Sequence, residues 1–329
     1  MNRRFIRFRV VPTENGMTLR NLMIRRMAET DRHRASAILH AGGVYVNRLR
    51  VKLGTVRVVA GERITIYPDA CEAEALDPNR LVIAYREAGF MIVDKPAGVP
   101  VDPTKESAVG TLSQVVGLFL KNEGTMRPYV GVVHRLDRRA SGLVLLTTRS
   151  VANKNIHHLF VSHAIARVYR IRVHNSPPEQ WTCETPLVHL ANGGVRLAKP
   201  GETECSAART RFRRLGEVPA LDGSDRVETL VEVELETGKT HQIRAHAQAC
   251  GYPLVGERRY TSEAVEVSDD APLCLFAKSL RFDHPETGKS IHAQAVLPTW
   301  ARLASELDLP RRWEEEETNT SEEPRPVDG

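Results

Sequence analysis

Two segments of the 329-residue chain hold the side chains best suited to covalent chemistry. The first runs from Gly131 to Leu146 and sets His134-Arg135-Leu136-Asp137 between two apolar, strand-like stretches. A carboxyl group among arginines and beside buried strands is well placed to stay ionised. An ionised, desolvated carboxylate is a competent nucleophile. Taken by itself, the segment fits a structural Asp–Arg pair at a strand end at least as well. The second segment runs from Leu235 to His246, where a strand ends, Gly238 turns, and Thr240 is expected to cap a short helix that stops near Cys250-Gly251. His241 and Arg244 are three residues apart and share a helix face. Arg244 suits a bidentate pair with a carboxylate from another segment. A capped surface helix accounts equally well for this second pattern.

The elements that must position these side chains lie in a body starting at about Leu81. Leu81–Tyr85 and Phe90–Val93 flank Glu87-Ala88-Gly89 and predict a hairpin. Ser150 is a candidate cap for a helix that turns Ala152, Ile156, Leu159 and Phe160 inward, and Leu230–Leu235 alternates as a half-buried strand does. Strands dominate without regular βαβ alternation. The expected class is therefore α+β, with a mixed, largely antiparallel sheet over 81–310. Ahead of the body, Arg7–Val11 alternates as a short strand. Leu19, Leu22, Met23 and Met27 mark a helix face that leaves Arg20, Arg25 and Arg26 outward. Ser36 is a candidate cap for a second helix through Ile38 and Leu39, ended by Gly42-Gly43, and strands are expected at Val44–Asn47 and Ile64–Tyr67. Residues 1–67 thus form a small front unit, 68–80 a linker, and 311–329 an acidic tail expected to be disordered.

Charge separates these parts. Residues 1–63 carry thirteen Arg and Lys52 against four acids, a net of +10, whereas 314–329 carry seven acids against Arg325. The whole chain is +5, which leaves the body near neutral. A basic end on a neutral body suits a polyanion, and an excess made of arginine, which forks onto phosphates, suits nucleic acid. No apolar run approaches a membrane span, and no long apolar stretch follows the first charges as in a signal peptide. The five scattered cysteines lack C-x-x-C spacing, which disfavours a disulfide framework or zinc site and fits the cytoplasm. His157, His158 and His163 share a helix with core residues but lack ligands to complete a metal set. Gly193-Gly194 lacks the Lys-Ser/Thr of a phosphate loop, and no G-x-S-x-G element is present.

Taken together, His134 to Leu143 and Leu235 to His246 resemble the second and third motifs of the RluA family of RNA pseudouridine synthases. Gly251–Gly256 continues the third motif. Lys95-Pro96-Ala97-Gly98-Val99 resembles the first, Tyr169 falls at the family's active-site tyrosine, and Leu280–Pro285 resembles a closing motif. The likeness covers about 80–300 in the family's order. Ala140 stands for a usual Thr, Arg167 for Lys, Lys239 for Arg, Glu257 for Asp and Phe276 for His. The front unit, with Val44-Tyr45-Val46-Asn47 and Ala60-Gly61-Glu62-Arg63-Ile64, resembles the S-four RNA-binding domain. That resemblance implies that Arg32, Arg34, Arg48, Arg50 and Lys52 face RNA phosphates.

What the family resemblance implies is isomerisation of uridine within RNA. Asp137 would attack either the ribose anomeric carbon or the ring carbon beside the glycosidic nitrogen. Arg244 would pair with it, and Tyr169 would stack on the uracil and assist proton removal. His134, His241, Leu143 and Ile243 would line the substrate. The base must be flipped out of its stack, and Arg135 would fill the vacated place. No metal or organic cofactor is implied. The expected partner is RNA, ribosomal RNA of the large subunit ahead of transfer RNA, with no membrane and the protein acting as a monomer. Two rivals are a catalytically silent RNA-binding or ribosome-assembly factor and a glycosidic hydrolase that would release free uracil.

Overall fold

The computed structural model describes residues 5–27, 30–68, 70, 76–104, 108–190, 193–260 and 271–307. The expected acidic tail, and residues 69 and 71–75 of the expected linker, lie outside the described residues.

The front part contains β1 (Ile6–Arg9), α1 (Leu19–Arg26), α2 (Arg32–His40), β2 (Val44–Val46), β3 (Leu49–Arg50) and β4 (Arg63–Ile66). The strands form an antiparallel sheet in the order β1-β4-β2-β3. Its inner face, with Val44, Val46, Ile64 and Ile66, packs on Leu19, Leu22, Met23, Ile38 and Leu39. The spacing of the apolar residues in α1 thus gives the face it buries. The start of α2 differs from expectation. Asp31, not Ser36, caps it by accepting the Arg34 amide at 2.7 Å, and Ser36 sits in the second turn. A carboxylate at the N-cap satisfies a free amide and complements the helix dipole, so the helix starts at the earlier candidate.

The body holds β5 (Val82–Glu87), β6 (Phe90–Lys95), α3 (Leu112–Asn122), β7 (Gly131–Val132), β8 (Ser141–Thr147), α4 (Ser150–Val161), β9 (Ala166–His174), β10 (Gln180–Cys183), β11 (Leu187–His189), β12 (Val195–Leu197), β13 (Thr210–Pro219), β14 (Val227–Leu235), α5 (Gln242–Ala249), β15 (Leu275–Asp283), β16 (Ser290–Gln294) and α6 (Ala304–Leu307). One large sheet runs β10-β13-β14-β9-β15-β8-β6-β5, with β16 on β15 and β7 on β8. Its pairings are antiparallel except β15 with β8. This is the mixed, largely antiparallel α+β architecture expected from the sequence.

Helices cover both faces at β6 and β8. Leu143 and Leu145 pack with Ile156 of α4, and Val144 and Leu146 with Leu112, Val116 and Leu120 of α3. These strands therefore read as continuous apolar runs rather than as alternations. The hairpin of β5 and β6 turns at Ala88-Gly89 as expected, with Gly89 at φ +111°. No helix among the described residues is long and apolar enough to cross a membrane.

Candidate active site

Asp137 lies in the loop between β7 and β8, which sheet pairing and buried contacts hold from several sides. Gly142 follows at φ +104°, and a Cβ there would collide with the backbone of Ala277. Only glycine allows β8 to approach β15 this closely just after the Asp137 turn. Arg139 reaches out of the same turn to the carbonyls of Gly256 at 2.9 Å and Ala271 at 2.6 Å. Lys95, at the end of β6, is fully buried and donates to the carbonyls of Pro96 at 2.9 Å, Val99 at 2.8 Å, Arg138 at 3.3 Å and Ala140 at 2.5 Å. Burial pulls its pKa down to about 7 against the opposing pull of Asp137 and Asp94. Lys95 thus ties both ends of the Asp137 turn to the first motif. Lys95→Met removes the only donor these contacts share and leaves buried carbonyls unmet. It is expected to lower folding stability by about 3 kcal/mol. Denaturant unfolding checks this, and a wild-type midpoint would show that the carbonyls find other donors.

On the other side stands α5, where the structure corrects a second cap. The helix begins at Gln242, and His241 precedes it at φ +53° in the left-handed region, so Thr240 does not cap it. The Gln242 side chain instead accepts the Lys239 amide at 3.0 Å and donates to the Arg209 carbonyl at 3.0 Å and the Thr210 hydroxyl at 2.9 Å. This anchorage presents His241 and Arg244 to Asp137, although His241 lies outside the helix and not on a shared helical face as their spacing predicted. The Nη1 of Arg244 donates to Asp137 Oδ2 at 2.6 Å. Its Nε and Nη2 fork onto Glu257 at 2.6 and 2.7 Å.

Glu257 is fully buried, and its Oε1 also accepts the amides of Arg258 (3.0 Å), Arg259 (2.7 Å) and Tyr260 (3.3 Å). Burial pushes Glu257 upward in pKa, but Arg244 and these amides pull it below the usual carboxylate range. Burial lowers Arg244, yet the two carboxylates leave it raised. The guanidinium therefore stays charged and is oriented by Glu257, which leaves Nη1 to donate to Asp137.

His241 Nε2 lies 3.5 Å from Asp137 Oδ1, and its Nδ1 lies 2.7 Å from the Tyr260 hydroxyl. Burial first, and the Arg244 and Arg259 charges after it, outweigh Asp137 and bring His241 down to about 4. Ile243 and Tyr169 belong to the buried cluster that includes Ala140 and Ala277 and packs against Leu136. Tyr169 sits on β9, opposite Val233 of β14 and Ala277 of β15, and is 6% exposed. Burial raises its pKa, with Asp137 adding to the rise and Arg167 opposing it, so the phenol is protonated at neutral pH. Arg135 is exposed beside this loop.

Two expected substrate residues lie elsewhere. His134 Nε2 accepts the Leu145 amide at 2.8 Å, and its ring stacks on Phe160 at 4.4 Å. Burial, with Arg167, pushes it to about 3, so it is neutral and committed to anchoring the loop. Leu143 is fully buried in the cluster containing Phe90, Ile92 and Ile156, on the α4 side of the sheet, and does not wall the site. Among the phosphate candidates, Arg32, Arg34, Arg48 and Lys52 are exposed. Arg50 instead donates to the Tyr45 hydroxyl at 3.0 Å and to the Thr104 carbonyl, which joins β3 to the body.

Phe276 pairs with Arg170, one step out of phase with Ala277 opposite Tyr169, and so faces the reverse side of the sheet. There it lines a cavity of about 300 Å³ with Arg80, Asp94, Ser141, Val296 and Pro298. Glu257 and Tyr260 were not assigned roles from sequence. The signal available was the run Gly256-Glu257 just after the third motif, where a Cβ on Gly256 would strike Pro272.

Comparison with known proteins identifies the family and the fold. The sequence pattern of the RNA pseudouridylate synthase family matches residues 89–249. An uncharacterized RNA pseudouridine synthase of Bacillus subtilis is 31% identical over 279 residues, 78% of this chain and 82% of that protein. The ribosomal large subunit pseudouridine synthase D of Neisseria meningitidis is 28% identical over 309 residues, 88% and 78% of the two chains. The human RNA pseudouridylate synthase domain containing 1 shares the fold, with a TM-score of 0.56, 21% identity, and coverage of 68% of this chain and 86% of that one. The chain therefore belongs to the RluA family of RNA pseudouridine synthases and is an isomerase.

Proposed function

We propose that the protein converts specific uridines of ribosomal RNA, in the large subunit, to pseudouridine, and that Asp137 is its nucleophile. The observation that carries this reading is the Asp137–Arg244–Glu257 arrangement, in which one guanidinium is fixed by a buried carboxylate and aims an Nη1–H at Asp137. Asp137 keeps 21% of its side chain exposed, enough for a substrate atom to reach it. Relatives named for the ribosomal large subunit support the choice of RNA, with transfer RNA second. The uridine is flipped out of its stack to reach Asp137, and Arg135 occupies the gap. Ile243 forms an apolar wall, and the protonated Tyr169 phenol suits stacking on the base better than removing a proton from it. The purified protein, acting as a monomer, should form pseudouridine in a large-subunit transcript and release no free uracil. Release of uracil, or conversion of transfer RNA alone, would contradict the proposal.

Residues 1–67 we take as an S-four-like RNA-binding unit, which supplies affinity to a catalytic unit at 81–310. Its support is a separate sheet and core together with the exposed cations Arg32, Arg34, Arg48 and Lys52. Each phosphate contact contributes about 0.7–0.9 to the slope of log K against log salt. Replacing all four by Ala is expected to flatten that slope by about 3 and to leave the single-turnover rate at saturating RNA unchanged. An unchanged slope would place the phosphate contacts elsewhere.

A further inference from the structure

We infer that Tyr260 is a positioning residue for the isomerisation: its hydroxyl fixes the tautomer of His241, so that His241 presents an N–H to Asp137. The inference rests on the reading of Asp137 as the nucleophile and adds a residue that acts on it through His241.

The argument follows the hydrogens. The Tyr260 oxygen accepts the backbone N–H of Val195 at 3.1 Å, which places it at the mouth of β12. Its own proton is then placed to donate to its other neighbour, His241 Nδ1, at 2.7 Å. A nitrogen that accepts this proton carries a lone pair, so in the neutral ring the hydrogen sits on Nε2. Nε2 faces Asp137 Oδ1 at 3.5 Å, and a carboxylate oxygen offers only acceptor capacity. Both ends of the imidazole therefore favour the same tautomer, the Tyr260 end by a hydrogen bond and the Asp137 end by a longer electrostatic contact. Asp137 is held by Arg244 on Oδ2 and approached by the His241 N–H on Oδ1, which restricts rotation of the carboxylate.

Two further observations support a dedicated role. His241 holds a left-handed backbone, a conformation that costs a non-glycine residue about 1 kcal/mol or more. The Tyr260 ring also packs edge-on against His241 at 5.7 Å and lies under the Arg244 guanidinium at 5.3 Å, so one side chain touches both partners of Asp137. The charged and titratable groups acting on His241 are Asp137, Arg244, Arg259 and Glu257, besides the Tyr260 hydroxyl itself. Protonating Nδ1 requires giving up the bond from Tyr260. Loss of that hydroxyl should therefore raise the pKa of His241 and move any acid limb of the rate profile to higher pH.

Tyr260→Phe keeps the ring and deletes the hydroxyl. With 15N-labelled histidine, the protonated and lone-pair ring nitrogens give separate signals, and His241→Gln identifies those of His241. The wild-type protein should show the Nε2–H form alone at neutral pH, and Tyr260→Phe a mixture with Nδ1–H. The same variant should lose about tenfold in kcat with KM within about twofold. In the His241→Gln background, where an amide donor has no tautomer to choose, Tyr260→Phe should cost no further rate. A wild-type tautomer in Tyr260→Phe, or an equal rate loss in both backgrounds, would overturn the inference. The tautomer is read in Asp137-containing protein without any turnover, so failure of the nucleophile assignment would appear as turnover by Asp137→Asn and not in these spectra.

Discussion

Asp137→Asn is expected to fold, to bind RNA as tightly as the parent, and to form no pseudouridine, a loss of at least about 10⁴-fold. The substitution is nearly isosteric. An amide oxygen still accepts the Arg244 Nη1–H that now reaches Oδ2 at 2.6 Å. The surrounding turn does not depend on the carboxylate: Lys95 grips the carbonyls on either side of it, Arg139 anchors to Gly256 and Ala271, and His134 anchors to Leu145. What disappears is the negative oxygen that can attack carbon, because an amide is not a nucleophile of comparable strength. Structural loss and chemical loss are thus separable here. Thermal unfolding should remain close to the parent's while single-turnover conversion vanishes. A variant that unfolds early would instead mark Asp137 as part of the structural framework.

The second large effect is expected at Arg244. Arg244→Ala should slow the chemical step by about 10²–10³-fold, with RNA affinity within a few-fold, because its N–H acts on a group that reacts and not on a phosphate. It also strands Glu257, which is fully buried and loses its fork while keeping three backbone amides. Removing one partner of a buried pair costs about 3 kcal/mol or more. The stability loss must therefore be distinguished from the catalytic one. Adding Glu257→Gln to Arg244→Ala removes the unpaired charge and should recover much of the stability but none of the rate. Arg244→Lys keeps a charge but has no fork with which to serve both carboxylates, so it should remain slow as well. If affinity falls while the single-turnover rate at saturation holds, Arg244 is a phosphate contact.

The two longest motifs point to the site only through the family resemblance, because each segment by itself fits a structural Asp–Arg pair or a capped surface helix as well. His241 and Arg244 both reach Asp137, but His241 stands ahead of α5 in the left-handed region, so helical spacing does not account for its place. What did not show locally was decided by contacts distant in sequence. Leu143 is carried over as a pocket wall by the family resemblance, and the apolar run of β8 offers no check on it, because alternation cannot tell one face from the other when helices cover both. His134 is assigned to the substrate through the family's second motif. Its bond to the Leu145 amide, eleven residues on, shows it to be an anchor.

Glu257 and Lys95 gain their importance only when α5 and β6 are brought to the same loop. Ser36 and Thr240 were plausible caps by type, but Asp31 offers a charged acceptor one turn earlier, and the left-handed His241 separates Thr240 from the start of α5. Arg50 shows the same limit on the front unit. Its charge suggested a phosphate, while the neighbouring Tyr45 and Thr104 claim its donors.

The most direct test of the central claim is to map pseudouridine in all RNA of cells that carry the native protein, that lack it, or that carry Asp137→Asn instead. The account predicts that one or a few sites in large-subunit ribosomal RNA lose the modification on deletion, regain it with the native protein, and stay unmodified with Asp137→Asn. Unchanged large-subunit RNA in all three, or restoration of the sites by Asp137→Asn, would contradict it.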